Sequence, residues 1–340
     1  MLNNKTILIT GGTGSFGKAF TKYILNNYSP TKVIIFSRDE LKQFEMQQNI
    51  IFQNPCMRYF LGDIRDQNRL IQACENVDII IHAAALKQIP AAEYNPFEVI
   101  KTNVLGAENI IQAALKNTVS KVVALSTDKA AAPINLYGAT KLCSDKLILA
   151  ANNIKGHRDL AFSVVRYGNV IGSRGSVIPF FLSKQHADSL PITDQRMTRF
   201  NISLEDGVNL VLFALENSIG GELYVPKIPS YRIVDVADAI SPNAKKEIIG
   251  IRPGEKLHEE MITEHDSFNA IDIGDKFVIA ANENQKNEFK KQYKNAKNLE
   301  LNFSYNSKDN NHFLTIDEIR QEIKHHVDKE FNYEEVSSIR

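Results

Sequence analysis

Residues 6–10 form a short β-branched apolar run that leads directly into Gly11-Gly12-Thr13-Gly14-Ser15-Phe16-Gly17. A helical pattern follows, with apolar positions at Ala19, Phe20, Tyr23 and Ile24. Strand, glycine turn and helix in that order narrow the fold sharply. They begin a parallel α/β unit and create a seat for phosphate. The glycines let backbone approach a pyrophosphate, and the helix N-terminus faces it with free N–H groups. Gly11, Gly14 and Gly17 are spaced G-x-x-G-x-x-G rather than G-x-G-x-x-G. A plain glycine turn is the alternative, but the flanking strand and helix favour a dinucleotide site.

The alternation continues. Apolar runs at 32–37, 58–61, 77–82 and 121–125 read as strands, and each is followed by a helical pattern. A sixth run covers 161–166. The fold class that follows is α/β, a doubly wound parallel sheet whose ligands bind beyond the C-terminal strand ends. Ser37, Arg38 and Asp39 stand at the second such end, where a ribose 2′ position is read, and Lys42 lies one turn on. Arg38 suits a 2′-phosphate, so NADP is favoured; Asp39 keeps NAD as the alternative. Asp63, after the third strand, can accept from an adenine amino group, and Asp66 caps a helix over 67–74. His82 ends the fourth strand and reads as structural. Ala83 and Ala85 are small enough to pass under a cofactor, and Lys87 on the same loop is placed to contact substrate or a cofactor phosphate. Asn95 and Pro96 read as the cap and first turn of the next helix.

The fifth strand runs into Ser126-Thr127-Asp128-Lys129, and Tyr137 opens a helix that carries Lys141. Four residues apart, Tyr137 and Lys141 share a helix face. An ammonium there stabilises a tyrosinate and lowers the tyrosine pKa. Thr127 supplies a hydroxyl, and Asp128 with Lys129 forms a second acid/base pair. Tyr-x-x-x-Lys is common by chance; the preceding dinucleotide site gives it weight.

Beyond residue 170 the alternation breaks. A helix over 205–216 and a strand over 222–226 rejoin the sheet, a helix covers 234–240 and a strand 247–251. Arg174, Arg199, Arg252 and Lys256 cluster in segments without helical phase. The chain carries 40 Lys+Arg and 40 Asp+Glu, so no global field attracts nucleic acid or an anionic membrane. Loop arginines in a neutral chain suit a diphosphate. Thr315 and Glu318 form a capping box before an apolar stripe at Ile316, Ile319, Ile323 and Val327, so a last helix docks on the body or on a neighbouring subunit. Three scattered cysteines exclude a disulfide framework and a zinc site. With neither a leader-like stretch nor an apolar run long enough for the bilayer, the expectation is a cytoplasmic protein with no metal, no nucleic-acid partner and no membrane contact.

The strings TGGTGSFG, SRDELKQ, HAAALKQIPAAEYNP, ALSTDKAA, PINLYGATKLCSDKL, SVVRYGNVIGSRGSVIPFF, PITDQRMTRF and IIGIRPGEKLHE resemble the extended short-chain dehydrogenase/reductases that act on nucleotide sugars. More specifically, they resemble the inverting UDP-N-acetylglucosamine 4,6-dehydratases, lyases that open the pseudaminic acid pathway. The resemblance covers residues 5 to 265 almost continuously. Retaining relatives typically carry Asp-Glu where this chain has Asp128-Lys129, and membrane-attached relatives begin with transmembrane helices. Ala130-Ala131-Ala132 departs from the family pattern, a change expected to alter loop packing rather than chemistry.

The resemblance implies a Rossmann-type NADP-binding domain over 1–170, rejoined by about 200–228. It implies a nucleotide-sugar-binding region over 171–199 and 229–285, and a C-terminal extension with a docking helix over 286–340. The implied cofactor set adds Thr13, Ser15, Phe16, Glu40, Leu41 and Ile64 to Gly11, Gly14, Gly17, Ser37, Arg38, Asp39, Lys42, Asp63, Ala83, Ala85, Lys87, Tyr137 and Lys141. The substrate set is Lys87, Thr127, Asn169, Arg174, Val177, Thr193, Arg199, Arg252 and Glu255. In the implied reaction Tyr137, aided by Lys141, takes the proton of the sugar 4-hydroxyl, with Thr127 orienting that oxygen. Lys129, when neutral, removes the C5 proton, and Asp128, when protonated, serves the departing 6-hydroxyl; the two roles can be exchanged. The product is a 4-keto-6-deoxy sugar of inverted C5 configuration. A nucleotide-sugar epimerase of the same fold is the alternative activity. Capsule or O-antigen synthesis is the alternative to flagellin glycosylation, and a homo-oligomer, dimer or hexamer, is expected.

Overall fold

The structure, a computed structural model, describes residues 1–173 and 175–333. Its centre is a ten-stranded sheet. We number its strands in chain order: β1 (Thr6–Thr10), β2 (Lys32–Ser37), β3 (Met57–Leu61), β4 (Ile79–His82), β5 (Lys121–Thr127), β6 (Ala161–Tyr167), β7 (Leu223–Pro226), β8 (Ala270–Asp272), β9 (Lys276–Ile279) and β10 (Lys297–Asn298). Across the sheet the order is β10-β8-β9-β7-β6-β5-β4-β1-β2-β3. From β3 to β7 every neighbouring pair is parallel. β1 and β4 are wholly buried, which is why their sequences are continuous apolar runs without alternation.

The direction of winding reverses between β1 and β4, so the loops leaving these strands part and open a crevice. The helices that frame this crevice are α1 (Ser15–Asn27), α2 (Glu40–Gln48) and α3 (Leu136–Ala150). Asp66 caps the helix Gln67–Ala73 as expected, accepting from Arg69 N. Asn95 does not cap with its side chain; it donates instead to Ala91 O at 3.1 Å. The helix that begins at Pro96 runs to Lys116 through one π-helical turn, Lys101–Leu105. That turn buries Asn103, which clamps Leu86 by accepting from its N–H at 2.8 Å and donating to its carbonyl at 2.9 Å. A π turn at such a place re-aims one side chain, here to hold the loop after β4.

A smaller body sits over the C-terminal strand ends. Its strands Asn169–Val170, Thr198–Ile202 and Ser230–Arg232 form one sheet, and Ser189–Ile192 pairs with Lys245–Ile248 in another. The latter strand ends three residues before the 247–251 expectation, because it is the 245–248 backbone that finds a parallel partner. A second hydrophobic cluster joins this body to α4 (Ile233–Ile240) and α5 (Ile316–His326), through Ile178, Phe181, Val236, Ile319 and Ile323. The last helix therefore docks on its own chain, with its capping box formed by Thr315 and Glu318.

One boundary differs from the sequence reading. Residues 270–279, assigned there to the substrate region, form β8 and β9 and extend the main sheet antiparallel from β7. Their runs are too short to show a period, and only the partner strand decides their place. Among the described residues no helix is long and apolar enough to cross a membrane, and no cluster of His, Cys, Asp and Glu could hold a metal.

Candidate active site

The crevice is a cleft of about 1210 Å³ that runs from the glycine turn to the smaller body. A single small-molecule site takes roughly 300–1,000 Å³, so this one has room for two ligands. Gly11 has φ +65°, and a Cβ there would lie 2.9 Å from the Ala84 backbone. The two loops therefore touch at Gly11 and Ala84, at the root of the crevice. Gly14 is the N-cap of α1 and places no side chain on its free N–H groups. A Cβ on Gly14 would meet only Gly11 O, at 3.2 Å, so the turn is an open cradle. Thr13 and Ser37 hydroxyls lie 3.3 Å apart across it.

Arg38 is half-exposed at the tip of β2, with its guanidinium 3.6 Å from Asp63 Oδ2. Asp39 lines the cleft beside it, where it caps α2 by accepting from Lys42 N and pairs with Lys42 Nζ at 2.7 Å. Burial works to raise the Asp63 carboxyl, but the hydrogen bonds and charge of Arg65 outweigh it and hold it below the usual carboxylate range. Of the expected cofactor set, Glu40 and Leu41 do not line the cleft. The phase of α2 turns Gln43 and Met46 inward and leaves Glu40 and Leu41 exposed. His82 is buried against Thr10 Oγ1 at 2.9 Å, and burial, with Lys141 nearby, pushes its pKa down to about 3. It is a neutral structural histidine.

The strand end of β5 and the first turns of α3 bring Thr127, Lys129, Tyr137 and Lys141 onto the same cleft wall. Asn135 starts α3 by accepting from Gly138 N at 2.8 Å and also donates to Gly254 O at 2.7 Å, which ties the loop around 254 to α3. Tyr137 is buried, and burial raises its pKa to about 12; Lys129 and the Thr127 hydroxyl pull the other way. This corrects the expectation that Lys141 makes the tyrosine acidic. Lys141 donates to Leu125 O at 2.8 Å, and burial lowers its own pKa. Its spacing from Tyr137 is as expected, but the carbonyl at the end of β5 claims its ammonium.

Lys129 has three oxygen partners. Its Nζ lies 2.9 Å from Asp128 Oδ1, 3.1 Å from Asn169 Oδ1 and 3.3 Å from Glu259 Oε1. Burial alone would lower the Lys129 pKa; the two carboxylates raise it above its ordinary value. Asp128 is wholly buried, and burial, reinforced by Glu259, raises its carboxyl against the pull of Lys129. The shared carboxylates around Lys129 and the burial of Asp128 thus push both the Lys129 ammonium and the Asp128 carboxyl upward, against the neutral lysine expected of a ready base. Glu259 carries no role in the sequence reading, although it ends the quoted string IIGIRPGEKLHE. Nothing local marks it; its importance comes from contact with a residue far away in the chain.

Gly138 shows how tightly this wall is built. A Cβ there would stand 2.2 Å from Lys129 O, so only glycine lets α3 pass beneath the Asp128–Lys129 turn. Gly138→Ala is expected to displace Lys129 and cut turnover by about 100-fold. Cofactor affinity should hold, as steady-state rates and fluorescence titration would show. Ala132, in the departing alanine run, adopts φ +41°. A left-handed alanine costs about 1–2 kcal/mol, so the loop after Lys129 is held by its surroundings, including the Lys256 Nζ donation to Ala131 O at 2.7 Å.

Asn169, Val177, Thr193, Arg199, Arg252, Glu255 and Lys87 of the expected substrate set all line this cleft. Arg199 is buried and bonds Thr198 O at 2.7 Å, with its Nε 3.8 Å from Glu259. Arg252 is exposed, 3.5 Å from Glu255. Arg174 lies outside the described residues.

A doubly wound sheet with a glycine turn at its reversal point, and a Tyr-x-x-x-Lys helix facing a strand-end threonine, define the extended short-chain dehydrogenase/reductase class. Residues 7–281 match the family described as polysaccharide biosynthesis protein, and the chain belongs to that family. It is 55% identical, over 96% of its length and 99% of the relative's, to a UDP-N-acetylglucosamine 4,6-dehydratase (inverting) of Campylobacter jejuni subsp. jejuni serotype O:2. It is 41% identical to a UDP-glucose 4-epimerase of Rickettsia canadensis, covering 94% and 96% of the two chains. The X-ray structure of Pen from Bacillus thuringiensis superposes with a TM-score of 0.87 at 37% identity, covering 96% of this chain and 98% of that one.

Proposed function

We propose that the chain is an inverting dehydratase of UDP-N-acetylglucosamine that uses NADP. The observation that carries this reading is the buried Asp128–Lys129 pair, held beside Tyr137 in a cleft with room for two ligands. A redox enzyme that only oxidises and reduces one alcohol has no need of that second acid/base pair.

The glycine cradle and the free N-terminus of α1 suit the cofactor pyrophosphate. Arg38 suits the 2′-phosphate, and Asp39 is already committed to its helix cap and to Lys42. Arg38→Ala is expected to weaken NADP binding by about 10- to 100-fold, the loss of one charge-assisted contact, with little change for NAD. Titration with both cofactors checks this. Lys87, Arg199 and Arg252 are the cations placed for the diphosphate, and Arg174 belongs to the same proposal on sequence grounds.

Held by the glycine cradle and Arg38, a bound nicotinamide cofactor would supply reversible hydride chemistry at the sugar. Tyr137 takes the 4-hydroxyl proton while Thr127 orients that oxygen. The C4 ketone acidifies C5–H. A proton shift along the 2.9 Å bond from Lys129 Nζ to Asp128 Oδ1 makes the working tautomer, a neutral amine beside a carboxylic acid, without any external proton. Lys129 then takes the C5 proton and Asp128 gives its proton to the departing 6-hydroxyl, which leaves as water. The pair ends as ammonium and carboxylate, as it began. Tyr137 passes the 4-hydroxyl proton to solvent, C5 is reprotonated from the opposite face by a solvent proton, and the product is a 4-keto-6-deoxy sugar of inverted configuration. It would serve pseudaminic acid synthesis, with capsule or O-antigen sugars as the alternative use.

The test is incubation with UDP-N-acetylglucosamine in deuterated solvent. A product lighter by one water, deuterated at C5 and inverted there by NMR, is expected. Product without deuterium at C5 would remove the scheme. The relatives named UDP-glucose 4-epimerase keep epimerisation as the second reading, and a product of unchanged mass would select it. We also infer a homo-oligomer, dimer or hexamer; Tyr94, Phe97 and Leu105 lie exposed on neighbouring helical turns, and a light-scattering mass of one chain would exclude it.

A further inference from the structure

The dehydratase scheme uses Asp128 and Lys129 and leaves Glu259 without a task. Yet Glu259 is one of the most enclosed charges in the molecule, 2% exposed. Its backbone is fixed from the C-terminal part of the chain. Glu259 N donates to Ser307 Oγ at 2.9 Å, and Ser307 N donates to Glu259 O at 2.8 Å. Ser307 is itself fully buried and bonds Thr198 Oγ1 at 2.7 Å, beside Arg199. A residue clamped at both backbone groups and aimed at a reacting lysine is built for position.

Two further facts concern its carboxylate. Oε1 meets Lys129 Nζ at 3.3 Å, so one ammonium is shared between Glu259 and Asp128. Glu259 Oε2 and Asp128 Oδ2 are both buried without a hydrogen-bond partner among the described residues. Buried carboxylate oxygens are rarely left so, and the cost is tolerated where charge balance serves chemistry. Removing Glu259 would leave the Asp128–Lys129 pair one negative charge short, facing Arg199, Lys256 and Lys87.

We propose that Glu259 is a positioning residue of the dehydration step: it holds Lys129 Nζ, together with Asn169, in line with Asp128, and its charge keeps the single proton of the Asp128–Lys129 pair inside the site. The proposal rests on the dehydratase reading for its consequence in catalysis, and on geometry alone for its effect on Lys129. The groups that face Glu259 are Lys129, Arg199, Lys256 and Asp128; Lys129 is faced in addition by Lys87, Tyr137 and Tyr231.

The sign follows from counting protons. The pair works with one proton. Gaining a second stops it at low pH, and losing the last stops it at high pH. A neighbouring negative charge raises both transitions, so its removal lowers both. For the full chain with NADP and UDP-N-acetylglucosamine, Glu259→Gln is expected to move both limbs of the kcat/KM profile to lower pH by about 1–3 units. Glu259→Asp, which keeps the charge, should leave both limbs in place at a reduced maximum. A merely structural residue would lower the maximum of the Gln variant without moving its limbs. An independent measurement is 15N NMR of the Lys129 ζ-nitrogen in the chain without substrate, where Glu259→Gln should make Lys129 lose its proton at lower pH than in the parent. If the parent releases no water from the sugar nucleotide, the proposed function fails, and the NMR titration still decides the role of Glu259. Should Glu259→Gln not fold, Glu259→Ala removes the same charge with a smaller side chain and is expected to move both limbs the same way. Limbs and Lys129 titration unmoved in the variant that folds would overturn the proposal.

Discussion

Tyr137→Phe is expected to lower turnover by about 10²–10⁴-fold while cofactor and sugar-nucleotide affinities stay within a few-fold of the parent. The reason lies in what the hydroxyl does and what the ring does. The ring packs with Ala92 and Val99, a small cluster that phenylalanine fills equally well. Helix α3 keeps its start, because Asn135 and Gly138 provide the cap. The hydroxyl, in contrast, is the group we propose receives the sugar 4-hydroxyl proton. With its pKa near 12 in the free protein, Tyr137 is protonated at neutral pH. It therefore gives its own proton to solvent as it takes that of the alcohol, rather than waiting as tyrosinate, and Lys129 and Thr127 are the neighbours that favour its charged form. Rates by product mass and cofactor binding by fluorescence separate the two effects. Turnover within tenfold of the parent would remove Tyr137 from the proton path.

The second large effect is expected for Lys129→Ala. Dehydration should fall by at least about 10²–10⁴-fold, because no other group takes the C5 proton. Oxidation at C4 should survive, since Tyr137 and Thr127 remain, so reduced cofactor should appear in its ultraviolet band without a dehydrated product. The fold should also suffer. Asp128 and Glu259 are both buried, and they would be left as two carboxylates without the ammonium between them. Breaking a buried pair in this way costs about 3–5 kcal/mol. That loss should shrink as pH falls, because the stranded carboxyls can then take up protons. Urea melts of parent and variant at neutral and acid pH check the sign. Dehydration at the parental rate would end the assignment of Lys129 as base.

Much of the cofactor half could be read from residues next to one another in the chain. The glycine turn, Arg38 at the tip of β2 and the small residues after β4 each act through local backbone or through the end of a strand. Tyr137 and Lys141 were legible for the same reason, as an i, i+4 pair on one helix. What they do to each other was not: the carbonyl of Leu125, supplied by β5, takes the Lys141 ammonium. The π turn that aims Asn103 at Leu86 has no periodic signature either. Nor does the reason for Gly138, which is the close passage of the Lys129 carbonyl overhead.

By itself the sequence determined the alternation of strand and helix, the phosphate cradle and the identity of the acid/base pair, because each depends on residue type and short spacing. Only the tertiary structure decided how that pair is charged. It brings Glu259, Arg199 and Asn169 from separate segments to within about 4 Å of one another or of Lys129. At such distances, inside a buried site, desolvation and Coulomb attraction are large and opposed. Which form of Lys129 prevails follows from their balance in space, and spacing along the chain carries no record of it.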